Sequence, residues 1–523
     1  MAIRVTGLFP RVRARVRLAA RLAAVLALAS LTRADVRLPG LFSHNMVLQQ
    51  ELPVPVWGWA DNGEEVTVQF RDQRVTTVAQ NGRWSVKLAP MKASLTGDLF
   101  VVRGKNLVIL RNVLVGEVWV CSGQSNMEWP FSRCFEPAGD IAASANPRLR
   151  LFTVPKLKAL EPVEDVKAEW KVCGPDTVKD FSGVAYYFGR ALQRTRNVPV
   201  GLIHTSWGGS PAEVWMSKTA LTVDPDYRRE IWEAYPAQER QYQEALAKWE
   251  KARTDAERAG QPFNQPRPWA PWRPAELYNG MIAPLIPYAI SGAIWYQGES
   301  NAGRAWQYRR LFPDLILNWR RDWAQGDFPF LAVQLAPWDK NRKRSLEEIT
   351  AAPEESDWAE LREAQVHATK ILPNVGLAVI TDAGEKDDIH PPRKAIVGER
   401  LALAARVIAY GERFAGLSPM YRRATFSGGR ATIEFDHVGK GLVARGGELK
   451  GFAIAGPDRK FVWAEARITG PDKVVVRSPL VAEPIAVRFG WADYPVVNLF
   501  SEAGLPASPF RTDDFPMVTA PKY

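Results

Sequence analysis

The sequence predicts an α/β protein in which a parallel sheet, covered by helices on both faces, is flanked by small β-sandwich-like segments. Near-continuous apolar runs recur in the middle of the chain, for example SGAIWYQ at 291–297, and stretches of helical periodicity separate them. Such runs are typical of parallel strands that are buried on both faces. Toward both ends of the chain, short alternating strands follow one another with turn residues between them, which indicates antiparallel β structure.

The length of the chain, 523 residues, predicts more than one domain. Residues 35–111 are predicted to form an N-terminal β domain with Asn-Gly at two of its turns, and residues 112–415 to form the α/β domain. A charged stretch at about 219–274 is rich in helix formers, and we interpret it as a helical insertion. Residues 416–523 return to β character and predict a C-terminal β domain.

The first 34 residues have the composition of a secretory signal peptide. They carry seven arginines and no acidic residue, contain the apolar run LAAVLALASL, and end at the small residue Ala34. This run is too short to span a bilayer, and no later stretch approaches the roughly 18 apolar residues of a membrane helix, so we expect no membrane anchor. The leader predicts a secreted or periplasmic protein that is cleaved after Ala34.

The charge and the motif content argue against several classes of protein. The formal charge of +11 falls by seven to +4 without the arginines of the leader, and no basic stripe with interleaved aromatics remains. The sequence therefore predicts no nucleic-acid binding. The motifs HExxH, paired CxxC, GxxxxGK[ST] and strand-linked GxGxxG are missing, so we expect no metal and no nucleotide or redox cofactor. Three cysteines, an odd number, leave at least one thiol free.

Ser125 is the first candidate for a catalytic residue. The predicted strand VLVGEVWV at 113–120 runs into CSGQSNMEWP, which places Ser125 just past the carboxyl end of a strand, where ligands of open parallel sheets bind. Gly123 permits a tight turn before it, and the N–H groups of the following helix start point to the same place, as acyl transfer requires. Met127 replaces the second glycine of the GxSxG motif of α/β-hydrolases. The alternative is that Ser125 only caps a helix.

Four ordered segments carry a resemblance to a known family. They are GQSNMEWP at 123–130, HTSWGGSPAEVWMS at 204–217, AIWYQGESN at 293–301 and KDDIHP at 386–391. In this order, and over about 270 residues, they resemble the blocks of the SGNH hydrolases in the form typical of the sialate O-acetylesterase family. The resemblance implies a flavodoxin-like sheet of SGNH type and an esterase in which Ser125 is the nucleophile.

The general base is expected among the five histidines of the chain. His390 is the best placed, because it precedes a helix-like run near the end of the α/β region and lies beside acids that can orient its ring. The resemblance implies the same assignment, and its D-x-x-H pattern implies Asp387 as the acid. Similar relatives often carry the acid two residues before the histidine, so Asp388 is the alternative. In some relatives a backbone carbonyl orients the ring instead.

The oxyanion of the tetrahedral intermediate needs hydrogen-bond donors. The resemblance implies the backbone N–H groups of Ser125 and Gly208 and one side-chain amide from the third block. Because this block reads QGESN instead of the plain G-x-N-D form, the amide is Gln297 or Asn301, and we favour Gln297. The glycines of SWGG have an alternative interpretation as a plain loop turn.

Five further residues are expected at the substrate site: Gln124, Asn126, Trp129, Trp207 and Glu299. Tryptophan faces suit sugar rings, although packing beneath loops explains Trp129 and Trp207 about equally well. Glu299 follows a buried strand, as the carboxylates of barrel glycosidases do, but those enzymes need two such acids and no second one is compelling. A structural hydrogen-bonding role is the favoured interpretation of Glu299.

These observations predict an exported serine carbohydrate esterase that removes O-acetyl groups. The resemblance implies O-acetylated sialic acids as substrates, with acetylated xylan or another plant polysaccharide as the alternative. Two other classes stay open, namely a glycoside hydrolase that uses Glu299 and a non-catalytic carbohydrate-binding protein.

Overall fold

The structure is a computed structural model that describes residues 35–341 and 343–522. The predicted signal peptide at 1–34 lies outside these residues. The described chain divides into two compact units. The first contains residues 35–38, 55–88 and 99–110, and the second contains residues 39–54, 89–98 and the chain from Arg111 onward. The domain borders expected after residues 111 and 415 stay predictions.

The strands of the described residues are short, except for one. In chain order they are β1 (Val47–Gln49), β2 (Val54–Trp59), β3 (Glu65–Phe70), β4 (Gln73–Val78), β5 (Arg83–Leu88), β6 (Ser94–Arg103), β7 (Leu107–Gly123), β8 (Asn146–Thr153), β9 (Lys171–Cys173), β10 (Val200–Ser206), β11 (Gly292–Tyr296), β12 (Phe330–Val333), β13 (Val375–Ala378), β14 (Met420–Ser427), β15 (Arg430–Asp436), β16 (Leu442–Ala444), β17 (Phe452–Ala455), β18 (Phe461–Trp463), β19 (Glu465–Gly470), β20 (Lys473–Arg477), β21 (Ala486–Phe489), β22 (Leu499–Ser501) and β23 (Phe510–Arg511).

The α-helices of the described residues all follow β7. They are α1 (Ser125–Glu128), α2 (Pro137–Ala142), α3 (Pro175–Val178), α4 (Gly183–Arg196), α5 (Lys218–Val223), α6 (Pro225–Tyr227), α7 (Tyr235–Arg258), α8 (Ala305–Trp323), α9 (Leu346–Thr350), α10 (Asp357–Ile371) and α11 (Lys394–Ile408). The longest, α7, lies in the charged stretch that predicted a helical insertion. Within the part of the chain that the structure describes, no helix is long and apolar enough to cross a membrane.

The first unit is antiparallel β structure. Strand β3 pairs with β4 and with β6, and β2 pairs with β5. Buried positions alternate with exposed ones along β5, as expected for a sheet with one covered face.

The second unit is built on a mostly parallel sheet. Its strands lie in the order β13-β12-β11-β7-β10-β8-β9, and only β9 runs antiparallel to its neighbour. Five apolar runs of the sequence predicted buried strands, and they form β7, β10, β11, β12 and β13. In that order they are VLVGEVWVC, VPVGLIHTS, SGAIWYQ, PFLAVQLA and VGLAVITD. The expectation of a mixed α/β fold with a central, mostly parallel sheet is therefore confirmed.

Helices α4 and α11 pack together on this sheet. Phe188 of α4 and Leu401 of α11 belong to one buried cluster with Leu149 and Leu202 from the strands. Ser182 caps the start of α4 by accepting a hydrogen bond from the Ala185 N–H at 3.1 Å. Helix α11 directly follows the loop after β13, and two prolines near the end of that loop come just before its first turn.

The C-terminal part of the second unit is antiparallel. One sheet has the order β14-β15-β20-β19, another has the order β18-β17-β21-β23, and β16 pairs with β22. A shared apolar cluster that includes Ile433, Val474, Phe452 and Phe489 is buried between these strands. The three cysteines of the chain are all buried and free.

Candidate active site

Ser125 lies where three neighbouring parallel strands end. Strand β7 ends at Gly123, which is paired with Ser206 at the end of β10 and with Tyr296 at the end of β11. Gly123 has a φ of +142°, and a Cβ there would come within 2.1 Å of the Tyr296 carbonyl oxygen. Only glycine fits this turn, and α1 begins two residues later with Ser125. The first three sequence blocks therefore converge at one edge of the sheet.

His390 reaches the serine hydroxyl from the loop after β13. Its Nε2 lies 2.8 Å from Ser125 Oγ, a hydrogen-bonding distance, although the two residues are 265 positions apart. The Trp129 ring stacks on the imidazole with 5.3 Å between centroids and 19° between planes. A hydroxyl hydrogen-bonded to an imidazole at a strand end is the arrangement of an activated nucleophile and its general base.

A second histidine near this edge has a different environment. His204 lies on β10, and its Nε2 is 2.6 Å from Ser206 Oγ. Burial lowers the pKa of His204 to about 4, so its ring is neutral at physiological pH. Its hydrogen-bond partner is Ser206, whereas His390 is the histidine that contacts Ser125.

The two acids before His390 differ in position. Asp388 Oδ1 accepts the backbone N–H of His390 at 2.8 Å and lies 3.9 Å from Nδ1, which is too long for a hydrogen bond. Asp387 is ion-paired with Lys386, and its side chain is 61% exposed. The structure thus brings Asp388 to the histidine. It does not bring Asp387, the favoured acid of the sequence analysis, into contact with the ring, because that carboxylate turns to Lys386 and solvent.

Gly208 lies directly beside the nucleophile. A Cβ on Gly208 would be 3.2 Å from the Ser125 Cβ, tighter than ordinary van der Waals contact. Its N–H, an expected oxyanion donor, here donates to Glu128 Oε2 at 2.6 Å. Glu128 is also paired with Lys156 at 2.5 Å. A carboxylate therefore occupies the Gly208 donor in this structure, and an oxyanion would have to displace it.

The two amides of the third block face each other. Gln297 Nε2 donates to Asn301 Oδ1 at 2.6 Å, and Gln297 Oε1 accepts the Tyr308 hydroxyl at 3.0 Å. Asn301 Nδ2 donates to Glu213 Oε2 at 3.0 Å. Both side chains are almost completely buried, with exposed fractions of 0% and 1%. These contacts hold loops together, and neither amide donates to Ser125.

Gln124 and Asn126, the neighbours of the nucleophile, are both turned inward. Gln124 Oε1 accepts the backbone N–H of Ser300 at 3.2 Å. Asn126 Nδ2 donates to Glu299 Oε1 at 2.6 Å and to the Ile389 carbonyl at 3.0 Å. Both side chains are buried. Their hydrogen bonds connect α1 to the third block and to the histidine segment.

Glu299 is half-buried beneath the nucleophile segment. Burial raises the pKa of its carboxyl group above the usual range, while Asn126 and the nearby Lys394 act in the opposite direction. Its Oε2 is buried and has no hydrogen-bond partner. The contact with Asn126 agrees with a structural hydrogen-bonding role and gives no support to a glycosidase acid.

The two tryptophans expected at the substrate site have different surroundings. Trp129 contacts the His390 ring and the Arg133 guanidinium, which lies 4.1 Å from its centroid, and its Nε1 donates to the Arg133 carbonyl at 2.9 Å. Trp207 is half-buried and meets Trp272 edge to face at 5.6 Å. Trp207, next to Gly208, is the better candidate for a sugar contact, whereas Trp129 packs on the base.

Two residues at this site were missed by the sequence analysis. Glu128 holds the Gly208 N–H, and Lys394 donates to Asn126 Oδ1. A signal existed for Lys394, since it is the one lysine of its helix and lies four residues after His390. No sequence signal distinguishes Glu128 from any other acid in a first helical turn.

Comparisons with known proteins identify the family of this chain. The family model described as "Carbohydrate esterase, sialic acid-specific acetylesterase" matches residues 115–265 and 260–406, more than half of the chain. The sialate O-acetylesterase of Mus musculus is 29% identical over 91% of this chain and 94% of its own length, and that of Pongo abelii is 31% identical over 72% of each. A carbohydrate acetylesterase from Xanthomonas citri of known crystal structure is 37% identical, with a TM-score of 0.78 over 92% of this chain and 100% of its own.

Proposed function

Because the chain belongs to the sialate O-acetylesterase family and is a carboxylic ester hydrolase, we propose that it removes O-acetyl groups from sialic acids with Ser125 as nucleophile. The observation that carries the proposal is the 2.8 Å contact between Ser125 Oγ and His390 Nε2 at the end of β7. The fold is proposed to be of SGNH type with flanking β-sandwich-like segments, and residues 1–34 to act as a signal peptide for export.

The reaction proceeds in two steps. His390 Nε2 takes the hydroxyl proton as Ser125 Oγ attacks the acetyl carbonyl, and the imidazolium then protonates the departing sugar hydroxyl. In the second step His390 activates water, which attacks the acetyl-enzyme and releases acetate and the free serine. Stacking on Trp129 and the hydrogen bond from the backbone N–H of His390 to Asp388 hold the base in place during both steps.

The negative charge on the carbonyl oxygen requires donors on one side of the nucleophile. The backbone N–H groups of Ser125 and Gly208 are proposed for this role, since Gly208 approaches Ser125 so closely. The Glu128 carboxylate must then leave the Gly208 N–H when substrate binds, and Lys156 holds it aside. Gln297 and Asn301 support the surrounding loops.

A second candidate substrate is an acetylated plant polysaccharide such as xylan. The Xanthomonas citri protein, which aligns with 92% of this chain, is described as a carbohydrate acetylesterase, a class broad enough to include such substrates. Acetate release from acetylated sialic acids, acetylated xylan and pectin, measured side by side, distinguishes these substrates.

The proposal is tested by replacing one serine and retaining its neighbour. Ser125→Ala is expected to lower kcat for p-nitrophenyl acetate by about 10³-fold or more, because the covalent intermediate cannot form. Ser122→Ala is the matched control: Ser122 precedes Ser125 by three residues, is fully buried, and its hydroxyl makes no hydrogen bond. Equal rates in the Ser125 and Ser122 variants would remove Ser125 from the mechanism.

A further inference from the structure

Three segments of the proposed active site meet at a single buried amide, that of Asn126. This residue follows the nucleophile in α1 and has no exposed surface. Its Nδ2 donates to Glu299 in the third block and to the Ile389 carbonyl in the histidine segment. Its Oδ1 accepts a hydrogen bond from Lys394 Nζ. Every polar atom of the Asn126 side chain is therefore bonded.

Lys394 is an unusual residue for this position. It is the first residue of α11 and has an exposed fraction of 0%, although lysine is almost never fully buried unless it is paired. Its Nζ lies 5.6 Å from the Trp129 ring centroid and 5.4 Å from that of Tyr296. Burial lowers the pKa of Lys394 to about 7, while Cys134, Glu299 and Asp388 act in the opposite direction. Both the ammonium and the amine carry N–H groups, so the hydrogen bond to Asn126 persists in either form.

The contact with Lys394 helps to fix which way the Asn126 amide points. A lysine has donors and no acceptor in its charged form, so it selects the amide oxygen, and the NH₂ group must then face Glu299 and Ile389. A reversed amide would place its oxygen against the Glu299 carboxylate and the Ile389 carbonyl, both acceptors. The donor on Lys394 and the acceptors on Glu299 and Ile389 therefore favour the same orientation of the amide.

The Ile389 carbonyl belongs to the residue directly before the base. By accepting from Asn126 at 3.0 Å, it ties the backbone of the histidine segment to the helix that carries the nucleophile. The same backbone segment carries His390, whose Nε2 lies 2.8 Å from Ser125 Oγ. A displacement of about 1 Å at a reacting pair can cost about 10²-fold in rate.

We propose that Lys394 is a positioning residue for ester hydrolysis, acting through the Asn126 amide. Lys394 fixes the amide, the amide holds Ile389, and Ile389 sets the distance of the His390 ring from the serine. This proposal rests on the proposed roles of Ser125 and His390.

The test is Lys394→Met, which keeps the length of the side chain and removes the donor. Its control is Lys386→Met, in the same segment, where the lysine pairs with Asp387 outside the Asn126 network. At pH 8 the Lys394 variant is expected to lose at least tenfold in kcat for p-nitrophenyl acetate with KM unchanged, while the control stays within twofold. The melting temperature of Lys394→Met should fall moderately, because the buried Asn126 Oδ1 loses its donor, so kcat is measured well below that temperature.

Two results would overturn the proposal. One is a kcat within twofold of the unmodified protein. The other is a loss of kcat that matches the fraction of unfolded protein seen by circular dichroism at the assay temperature, which would assign Lys394 a structural role alone. An inactive Ser125→Ala variant beside an active Lys394→Met variant would reject only the positioning role. Activity in Ser125→Ala would reject the proposed function itself.

A second pair of variants tests the other side of the same amide. Glu299→Gln keeps an oxygen that can accept from Asn126 Nδ2, whereas Glu299→Leu does not. The Gln variant is expected to retain at least tenfold more kcat than the Leu variant. If both lose kcat equally, the charge of Glu299 matters rather than the orientation of the amide, and the proposal fails.

Discussion

The histidine segment, residues 386–394, and the third block, residues 297–301, both contact the helix that carries Ser125, but with different atoms. The histidine segment presents a partly exposed imidazole to the serine hydroxyl at 2.8 Å. The third block presents buried amides that bond to each other, together with a carboxylate that bonds to Asn126. The difference indicates that one segment carries the proposed chemistry and the other mainly sets where the nucleophile lies.

The largest expected effect is on the histidine side. His390→Gln should lower kcat by about 10³-fold, because no group then accepts the serine proton in the transition state. Steady-state kinetics with p-nitrophenyl acetate, together with circular dichroism to confirm folding, provides the measurement. His367→Gln, a half-buried histidine on α10, is the control and should stay within about twofold. A small effect at His390 would place the base elsewhere and remove the contrast between the two segments.

Two adjacent glycines, Gly208 and Gly209, test whether the space directly beside Ser125 is critical for activity. Gly208→Ala places a Cβ 3.2 Å from the Ser125 Cβ and should lower kcat by about 10- to 100-fold. Gly209→Ala meets no atom within 4 Å and should cost only about 1 kcal/mol of stability, because its φ is +76°. The comparison needs kcat and thermal unfolding for both variants. Equal kcat values would show that the space beside Ser125 is not critical.

Variants of the two aspartates of the histidine segment test whether Asp388 or Asp387 supports His390. Asp388→Asn should lower kcat by about tenfold, since the carboxylate that holds the His390 backbone N–H loses its charge. Asp387→Asn should change kcat by less than about twofold, because its partner is Lys386. The kcat values of the two variants on one substrate give the answer. The reverse order would restore Asp387 as the acid that the D-x-x-H pattern implied.

The smallest effect on activity is expected in the third block. Gln297→Ala should reduce the free energy of unfolding by about 2 kcal/mol or more, because the buried Tyr308 hydroxyl loses its acceptor and Asn301 loses a donor. We expect kcat to fall by no more than about threefold. Denaturant unfolding and kinetics on the same sample measure both quantities. A loss of about 10²-fold in kcat at unchanged stability would instead identify Gln297 as the oxyanion donor.

Much of the fold follows from the apolar pattern. All five apolar runs of the central region became neighbouring parallel strands, because a strand buried on both faces has to be apolar along its whole length. Strand β8 was missed because its sequence NPRLRLFT carries two arginines. Arg150 is nevertheless buried, with its guanidinium bonded to the carbonyls of Pro147, Asn45 and Asn112. Two of these carbonyls, those of Asn45 and Asn112, are distant in sequence, so the local pattern of β8 does not predict this burial.

The candidate site was predictable to different degrees. Ser125 and His390 could be chosen as candidates because short motifs contain the residue types that acyl transfer needs, and the structure brings the two residues into contact. The amides of the third block and the Gly208 N–H have the right chemistry as well, but the structure shows that other groups occupy them. Whether a donor faces a substrate or a neighbour depends on the loops around it, and a linear pattern does not contain that information.

The sequence by itself predicted which apolar runs along the chain form buried strands. It also predicted a serine after the first of these strands and a histidine near the end of the α/β region. These features are local, since they depend on residue type and on spacing along the chain. Only the tertiary structure decided that Asp388 rather than Asp387 contacts the histidine, that Glu128 holds the Gly208 N–H, and that Lys394 reaches Asn126. The physical reason is that a hydrogen bond between residues 80 to 268 positions apart depends on tertiary packing, and so does the choice between two adjacent carboxylates.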